Sequence, residues 1–200
     1  MRHRFATAAM AVALLLAGQA GAIVESKTGT EYPDSITVAT AGGDQVLVAT
    51  GAALREKSML KIDIYTIASW VASGTELGAD RAAAIWTLEA PKRLRMDLRR
   101  SFSREKLIGA FREVIEKNYA DQSAISTDLA TFEGYFTRDA ESGDVILFTY
   151  LPGQGLTTDL NGETRGVIAN PTFVEALWSV WFGPQPVDDG MKAKLSGTER

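Results

Sequence analysis

The chain has no cysteine and a single histidine, His3. Without a thiol there is no disulfide framework, no thiolate nucleophile and no soft-ligand metal site. Long apolar runs are just as scarce. The longest, Ala8 to Ala17, falls short of the roughly 20 residues that a membrane-spanning helix needs. No later stretch comes closer, so an integral span is not expected. There is also no internal repeat, no low-complexity tract and no linker that would separate a second domain.

The apolar run near the start reads as an export signal. Arg2, His3 and Arg4 make a positive leading segment, and Ala20-Gly21-Ala22 has the small-x-small pattern of a cleavage site. Cleavage after Ala22 removes residues 1–22, leaving one domain of 200 − 22 = 178 residues, 23–200, exported to the periplasm or beyond. That is long enough for a sizeable core. His3 leaves with the signal, so the mature chain has no imidazole, which excludes Ser-His and Cys-His catalysis. Any metal would need hard carboxylate ligands, and no Asp/Asn/Gly loop of the calcium-binding kind supplies them. The expectation is no cofactor and no metal. Losing Arg2 and Arg4 leaves 21 − 2 = 19 basic against 25 acidic residues, a net charge of −6. An acidic domain is a poor partner for nucleic acid.

Ile23 to Ser35 reads as a polar entering arm. Ile36–Thr40 and Gln45–Thr50 read as strands flanking the turn Ala41-Gly42-Gly43-Asp44. Gly51 to Lys57 reads as a turn with a charged cluster, leading into a strand from Lys61 to Val71. In that strand Leu60, Ile62 and Ile64 alternate with Lys61, Asp63 and Tyr65. Arg55 precedes Tyr65 by ten positions (65 − 55 = 10). The pair reads as a core strand with a surface arginine, or as a cation and a phenol at one end of a cavity.

Ala72 to Arg81 reads as a loop or short helical turn and Ala84 to Ala90 as a strand. After Pro91, Leu94, Met96 and Leu98 alternate with Arg93, Arg95, Asp97 and Arg99. With Lys92 and Arg100 these basic residues read as the solvated face of an edge-like strand, or as a patch for an anionic partner. Ser103 caps a helix whose apolar stripe is Leu107, Ile108, Phe111, Val114 and Ile115. A second helix over Ser123–Phe136 places Ile125, Leu129, Phe132 and Phe136 on one face. Val145–Leu151, Gly155–Leu160 and Glu163–Ile168 read as a meander, with a type I′ turn at Asn161-Gly162. Asn170-Pro171 opens the most apolar helix, carrying Trp178 and Trp181 and stopped at Gly183-Pro184. A short helix over Asp188–Leu195 precedes a polar tail. About seven strands and three or four helices, segregated along the chain, predict an α+β sheet with helices on one face.

Two stretches carry a resemblance. Gly51-Ala52-Ala53-Leu54-Arg55-Glu56-Lys57 and the strand after it form the first. The second runs from Pro152-Gly153-Gln154-Gly155-Leu156 through Asn161-Gly162, Gly166-Val167-Ile168 and Phe173 to Ala176-Leu177-Trp178, Trp181-Phe182-Gly183 and Pro186. In order and spacing they resemble the chalcone isomerase-like proteins. The resemblance implies an open-faced β-sandwich, a large antiparallel sheet covered by helices with a ligand cleft between. That family includes plant enzymes that close chalcones to flavanones, and non-catalytic relatives that bind fatty acids through an arginine and a tyrosine. Arg55 falls where both branches carry their arginine. Tyr65 falls where the enzymes have a threonine and the fatty-acid binders a tyrosine. Ser103 falls where the enzymes have a second catalytic group, a tyrosine, and Ala53 replaces a frequent glycine. The resemblance thus implies a ligand-binding site at Arg55 and Tyr65, without catalytic residues. The expected partner is a small apolar carboxylate such as a fatty acid. The alternatives are an intramolecular isomerase of the same family and a structural envelope protein with a filled core.

Overall fold

The computed structural model describes residues 21–57, 61–119 and 121–199. The expected export signal therefore lies outside the described residues except for Gly21 and Ala22, and so does Leu60. Seven antiparallel strands form one curled sheet. Their order is that of the sequence: β3 (Ser35–Thr40), β4 (Gly43–Lys57), β5 (Ile62–Ala72), β6 (Lys92–Leu98), β7 (Val145–Leu151), β8 (Gly155–Leu160) and β9 (Glu163–Ile168). Each strand pairs with its chain neighbour, as an antiparallel sheet built from sequential strands allows. Five helices, α1 (Arg81–Thr87), α2 (Arg104–Asn118), α3 (Ser126–Gly134), α4 (Pro171–Phe182) and α5 (Asp189–Leu195), bury their apolar faces in the main core with the sheet.

The entering arm is in fact a hairpin of β1 (Ala22–Glu25) and β2 (Thr30–Pro33). It covers part of the sheet's other face, where Tyr32, Val38, Leu47 and Trp70 form a second, smaller core. The Tyr32 hydroxyl bridges Thr66 Oγ1 at 2.8 Å and Asp97 Oδ2 at 3.0 Å. Trp70 Nε1 donates to the Pro33 carbonyl at 2.9 Å. One tyrosine and these polar contacts hold a segment whose composition suggested only a polar entering arm.

Gly51 to Lys57 is not a turn. It is the second half of the 15-residue strand β4, paired with β5 from Leu47↔Ala72 to Lys57↔Ile62, with register shifts at Ala49/Gly51 and Arg55/Glu56. Gly51 serves a close approach. A Cβ there would stand 1.9 Å from the Lys194 carbonyl oxygen of α5. The nearby Thr50 hydroxyl, which donates to Leu195 O at 2.7 Å, fixes that helix end to the strand. Glycine thus allows the backbones of β4 and α5 to touch.

Residues 84–90 were expected as a strand, but residues 81–87 form helix α1. Asp80 caps it, its side chain accepting from Ala83 N at 3.0 Å. Three consecutive alanines favour the helix, and Ala82 and Ile85 are its buried residues, at helical rather than strand spacing.

The basic strand β6 is central, fourth of seven, and not an edge. Its core-facing positions include Lys92, which is buried at 1 % exposure. The Lys92 ammonium donates to Ile85 O at 3.2 Å and Trp86 O at 2.9 Å, in the last turn of α1, and lies 4.9 Å from the Trp178 ring centroid. Burial pushes this amine down to about 7, opposed by Glu89 and Glu175. On the opposite face Arg93 and Arg95 are only half-buried, donating to Thr149 and to Asp97.

The other elements follow their apolar periodicity. The stripe of α2 and the four apolar residues around α3 are all buried. Their phenylalanines meet Phe148 of β7 and Trp181 of α4 with ring centroids 5.3–6.1 Å apart. Each such ring contributes roughly 1.5–3 kcal/mol of burial. The β8–β9 turn has positive φ at both Asn161 (53°) and Gly162 (81°), as a type I′ turn requires.

Two predictions follow from these contacts. Gly51→Ala forces β4 and α5 apart, and overpacking of this kind costs roughly 1–3 kcal/mol. Its urea midpoint should fall, with the m-value unchanged. Lys92 has a folded pKa below its unfolded one, so between about pH 7 and pH 10 the unfolded chain binds more protons. Stability should rise with pH across that window, and the rise should be missing from unfolding curves of Lys92→Met.

Candidate functional site

A cavity of about 450 Å³ opens between the sheet and the helices beside the end of β4. Its floor is Ile64 and Tyr65 of β5 with Met96 and Leu98 of β6. Leu107, Phe111 and Val114 of α2 form one wall, and Val180 and Trp181 of α4 with Pro186 and Val187 form the other. The volume lies within the range of about 300–1,000 Å³ typical of small-molecule sites. The lining is mostly apolar because β5 and β6 turn their core-facing residues towards α2, leaving a gap where the aromatic cluster ends.

Arg55 and Tyr65 both line this cavity. They are ten residues apart in sequence but directly opposite each other in the β4–β5 register. Opposed residues of an antiparallel pair share a face with their Cβ atoms about 5 Å apart, so the fold brings the cation and the phenol together. Arg55 Nη1 donates to Asp188 Oδ2 at 3.2 Å and to the Glu56 carbonyl at 3.2 Å. Tyr65 is 8 % exposed, and its oxygen accepts from Trp181 Nε1 at 3.1 Å. Burial pushes the phenol up to about 12. The Trp181 hydrogen bond and the Arg55 charge act downwards, and Asp188 acts upwards. The phenol is therefore protonated at neutral pH. With its oxygen accepting from Trp181, its own proton points to a donor role.

The remaining charged lining residues are Lys57, Lys106, Lys117 and Glu113. Glu113 accepts from Lys117 at 2.6 Å, and that bond holds its carboxyl below the ordinary value. With Arg55, four cations and one carboxylate line the opening, a balance that attracts anions. Among the described residues no cluster of three or more metal-ligating side chains occurs.

Ser103 caps a helix, as its place in the sequence led us to expect, and takes no part in the cavity. Its side chain caps α2, accepting from Lys106 N at 3.4 Å, and it lies outside the cavity although Phe102 and Lys106 line it. Ala53 is buried in regular pairing with Ile67, in backbone that does not require glycine. Trp181 lines the cavity, whereas Trp178 is buried beneath Lys92. Asp188 was not singled out from sequence as a site residue. It lies 133 positions from Arg55, and Asp188-Asp189-Gly190 signals only a helix start.

Among described residues no helix is long and apolar enough to cross a membrane. No curated protein sequence matches the chain. The crystal structure of a fatty-acid binding protein from Arabidopsis thaliana is similar in fold, with a TM-score of 0.70 and 18 % identity over 89 % of this chain and 97 % of that one. The family profile described as chalcone isomerase-like matches residues 24–197, nearly the whole described chain. The curled antiparallel sheet, its helical cover and that match together make this chain a member of the chalcone isomerase-like family.

Proposed function

We propose that this protein binds an apolar carboxylate, a fatty acid, in the cavity, with its head at Arg55 and Tyr65 and its tail along Met96, Leu98, Leu107 and Phe111. The observation that carries this reading is an apolar cavity with a guanidinium and a protonated phenol side by side at one end. A guanidinium offers a fork of donors matched to a carboxylate, and a phenol adds one more without adding charge. Each CH₂ of the tail taken from water adds about 0.8 kcal/mol. The similarity in fold to a fatty-acid binding protein supports the same reading.

Binding rather than isomerisation fits the chemistry of the lining. Proton transfer in catalysis favours a group whose pKa lies near the working pH. The Tyr65 phenol, pushed up to about 12, is a donor and not a base. The apolar leader over residues 1–22 further supports export, so we read the site of action as the periplasm or the cell exterior.

The two site residues should contribute unequally. A hydrogen bond to a charged group contributes roughly 1.5–3 kcal/mol; replacing Arg55 removes a fork of such bonds together with the countercharge, whereas Tyr65→Phe removes only one. Arg55→Leu should therefore weaken palmitate binding, measured by calorimetry, by roughly 100-fold or more. Tyr65→Phe should weaken it by about tenfold, the lower end of the range for one such bond. The order of stability should be reversed. Tyr65→Phe leaves the Trp181 indole N–H buried without its acceptor, a cost of roughly 1–3 kcal/mol. Arg55→Leu gives up only a half-exposed ion pair of about 1 kcal/mol or less. Equal losses of affinity would contradict the carboxylate reading. So would native mass spectrometry that detects neither co-purified nor added long-chain acid.

A further inference from the structure

Arg55 already has an anion. Asp188 Oδ2 accepts from its Nη1 at 3.2 Å, while Asp188 Oδ1 accepts from Met191 N at 2.9 Å and caps α5. One carboxylate thus holds a helix with one oxygen and the cleft's arginine with the other. The ion pair is open to solvent, with side-chain exposures of 28 % for Arg55 and 41 % for Asp188, so it can separate without stranding a charge in the core. Asp188 also faces a second cavity of about 560 Å³, whose lining includes Lys61 and Lys194. A carboxylate released from Arg55 has other cations within that cavity. The far end of α5 is held independently by the Thr50 bond to Leu195, so release at the first turn leaves the helix on the sheet.

We propose that Asp188 is the specificity-determining residue of the cleft, an internal anion that competes with the ligand's head group for Arg55. This rests on the carboxylate reading above. A bound carboxylate must displace Asp188 or share the guanidinium with it, and two like charges around one cation repel. An uncharged amphiphile meets no such competition. Asp188 therefore sets how strong an anion the site accepts, lowering its affinity for acids while leaving neutral ligands unaffected. The other charged groups lining the second cavity are Lys27, Glu56, Lys61 and Lys194, and none of them is hydrogen-bonded to the guanidinium through its side chain.

Asp188→Asn tests this, because asparagine is an equally good N-cap and carries no charge. Palmitate and hexadecanol are titrated into the wild-type protein and the variant by calorimetry, with intrinsic tryptophan fluorescence, to which the cavity-lining Trp181 contributes, as a second readout. The expected result is palmitate binding about twofold to fivefold tighter in the variant, the range of a half-exposed ion pair, with hexadecanol unchanged. Asp188→Ser, also capping and uncharged, should behave alike, and it serves if the first variant folds poorly. Palmitate binding that is unchanged or weaker in the variants overturns the proposal. So does equal tightening towards both probes, which would make Asp188 a matter of cavity shape. If the wild-type protein binds hexadecanol but neither it nor the variants bind palmitate, the carboxylate reading itself falls and takes the proposal with it. If wild type binds palmitate and the variants bind it no tighter, only the role of Asp188 is refuted.

Discussion

The long antiparallel pairing of β4 with β5 is the constraint on which the rest of the molecule depends. It runs through two register shifts, and each residue it fixes has a consequence elsewhere. Gly51 lies where α5 touches the strand, so the last helix can pack only because that position has no side chain. Trp70 and Ala68 turn to one side and anchor the amino-terminal hairpin, while Tyr65 and Ile67 turn to the other and enter the main core. The same ladder sets Arg55 against Tyr65. A slip of one residue would turn every one of these side chains to the wrong face.

The cleft is a place where core packing stops before the polar groups around it run out. Phenylalanines from α2, α3 and β7 fill the space towards the centre of the sheet. Near the end of β4 the walls remain apolar but are not closed, and the charged ends of strand and helix meet there. Tyr65 is kept neutral by burial and oriented by Trp181, whereas Arg55 stays at the rim, half in solvent, paired with a carboxylate that also begins a helix. An apolar interior with a cationic lip suits an amphiphile. Lys92 presents the opposite case. It is an amine sealed into the core, satisfied by the carbonyls that end α1 and by an indole face, and burial pulls its pKa down to about 7.

Much of this was legible in the sequence, and where it was not the cause is specific. The meander of β7 to β9, the type I′ turn, the caps at Ser103 and Asn170 and the stripe of α2 all rest on local rules that tertiary contacts did not override. Residues 84–90 were misread because Ile85 and Trp86 favour strands, while the decisive signals were the Asp80 cap and three alanines. The arm at 23–35 hid a hairpin because its anchor is a single tyrosine rather than a pattern. The strand β6 was read as edge-like from its charges. Its central place becomes visible only when β7 arrives on its far side.

The sequence by itself determined the class of fold, the elements with strong periodicity, the absence of thiol and imidazole chemistry from residue 23 onward, and the identity of Arg55 and Tyr65 as residues to examine. These follow from side-chain chemistry and short-range spacing, which a linear chain carries without help. Only the tertiary structure decided that Arg55 and Tyr65 face each other, that Ser103 lies outside the cavity, and that Asp188 reaches back 133 positions to occupy the arginine. Strand register and helix docking bring together groups that are distant in the chain. The free energy that selects one such arrangement comes from burying the whole core at once, so no local stretch of sequence contains it.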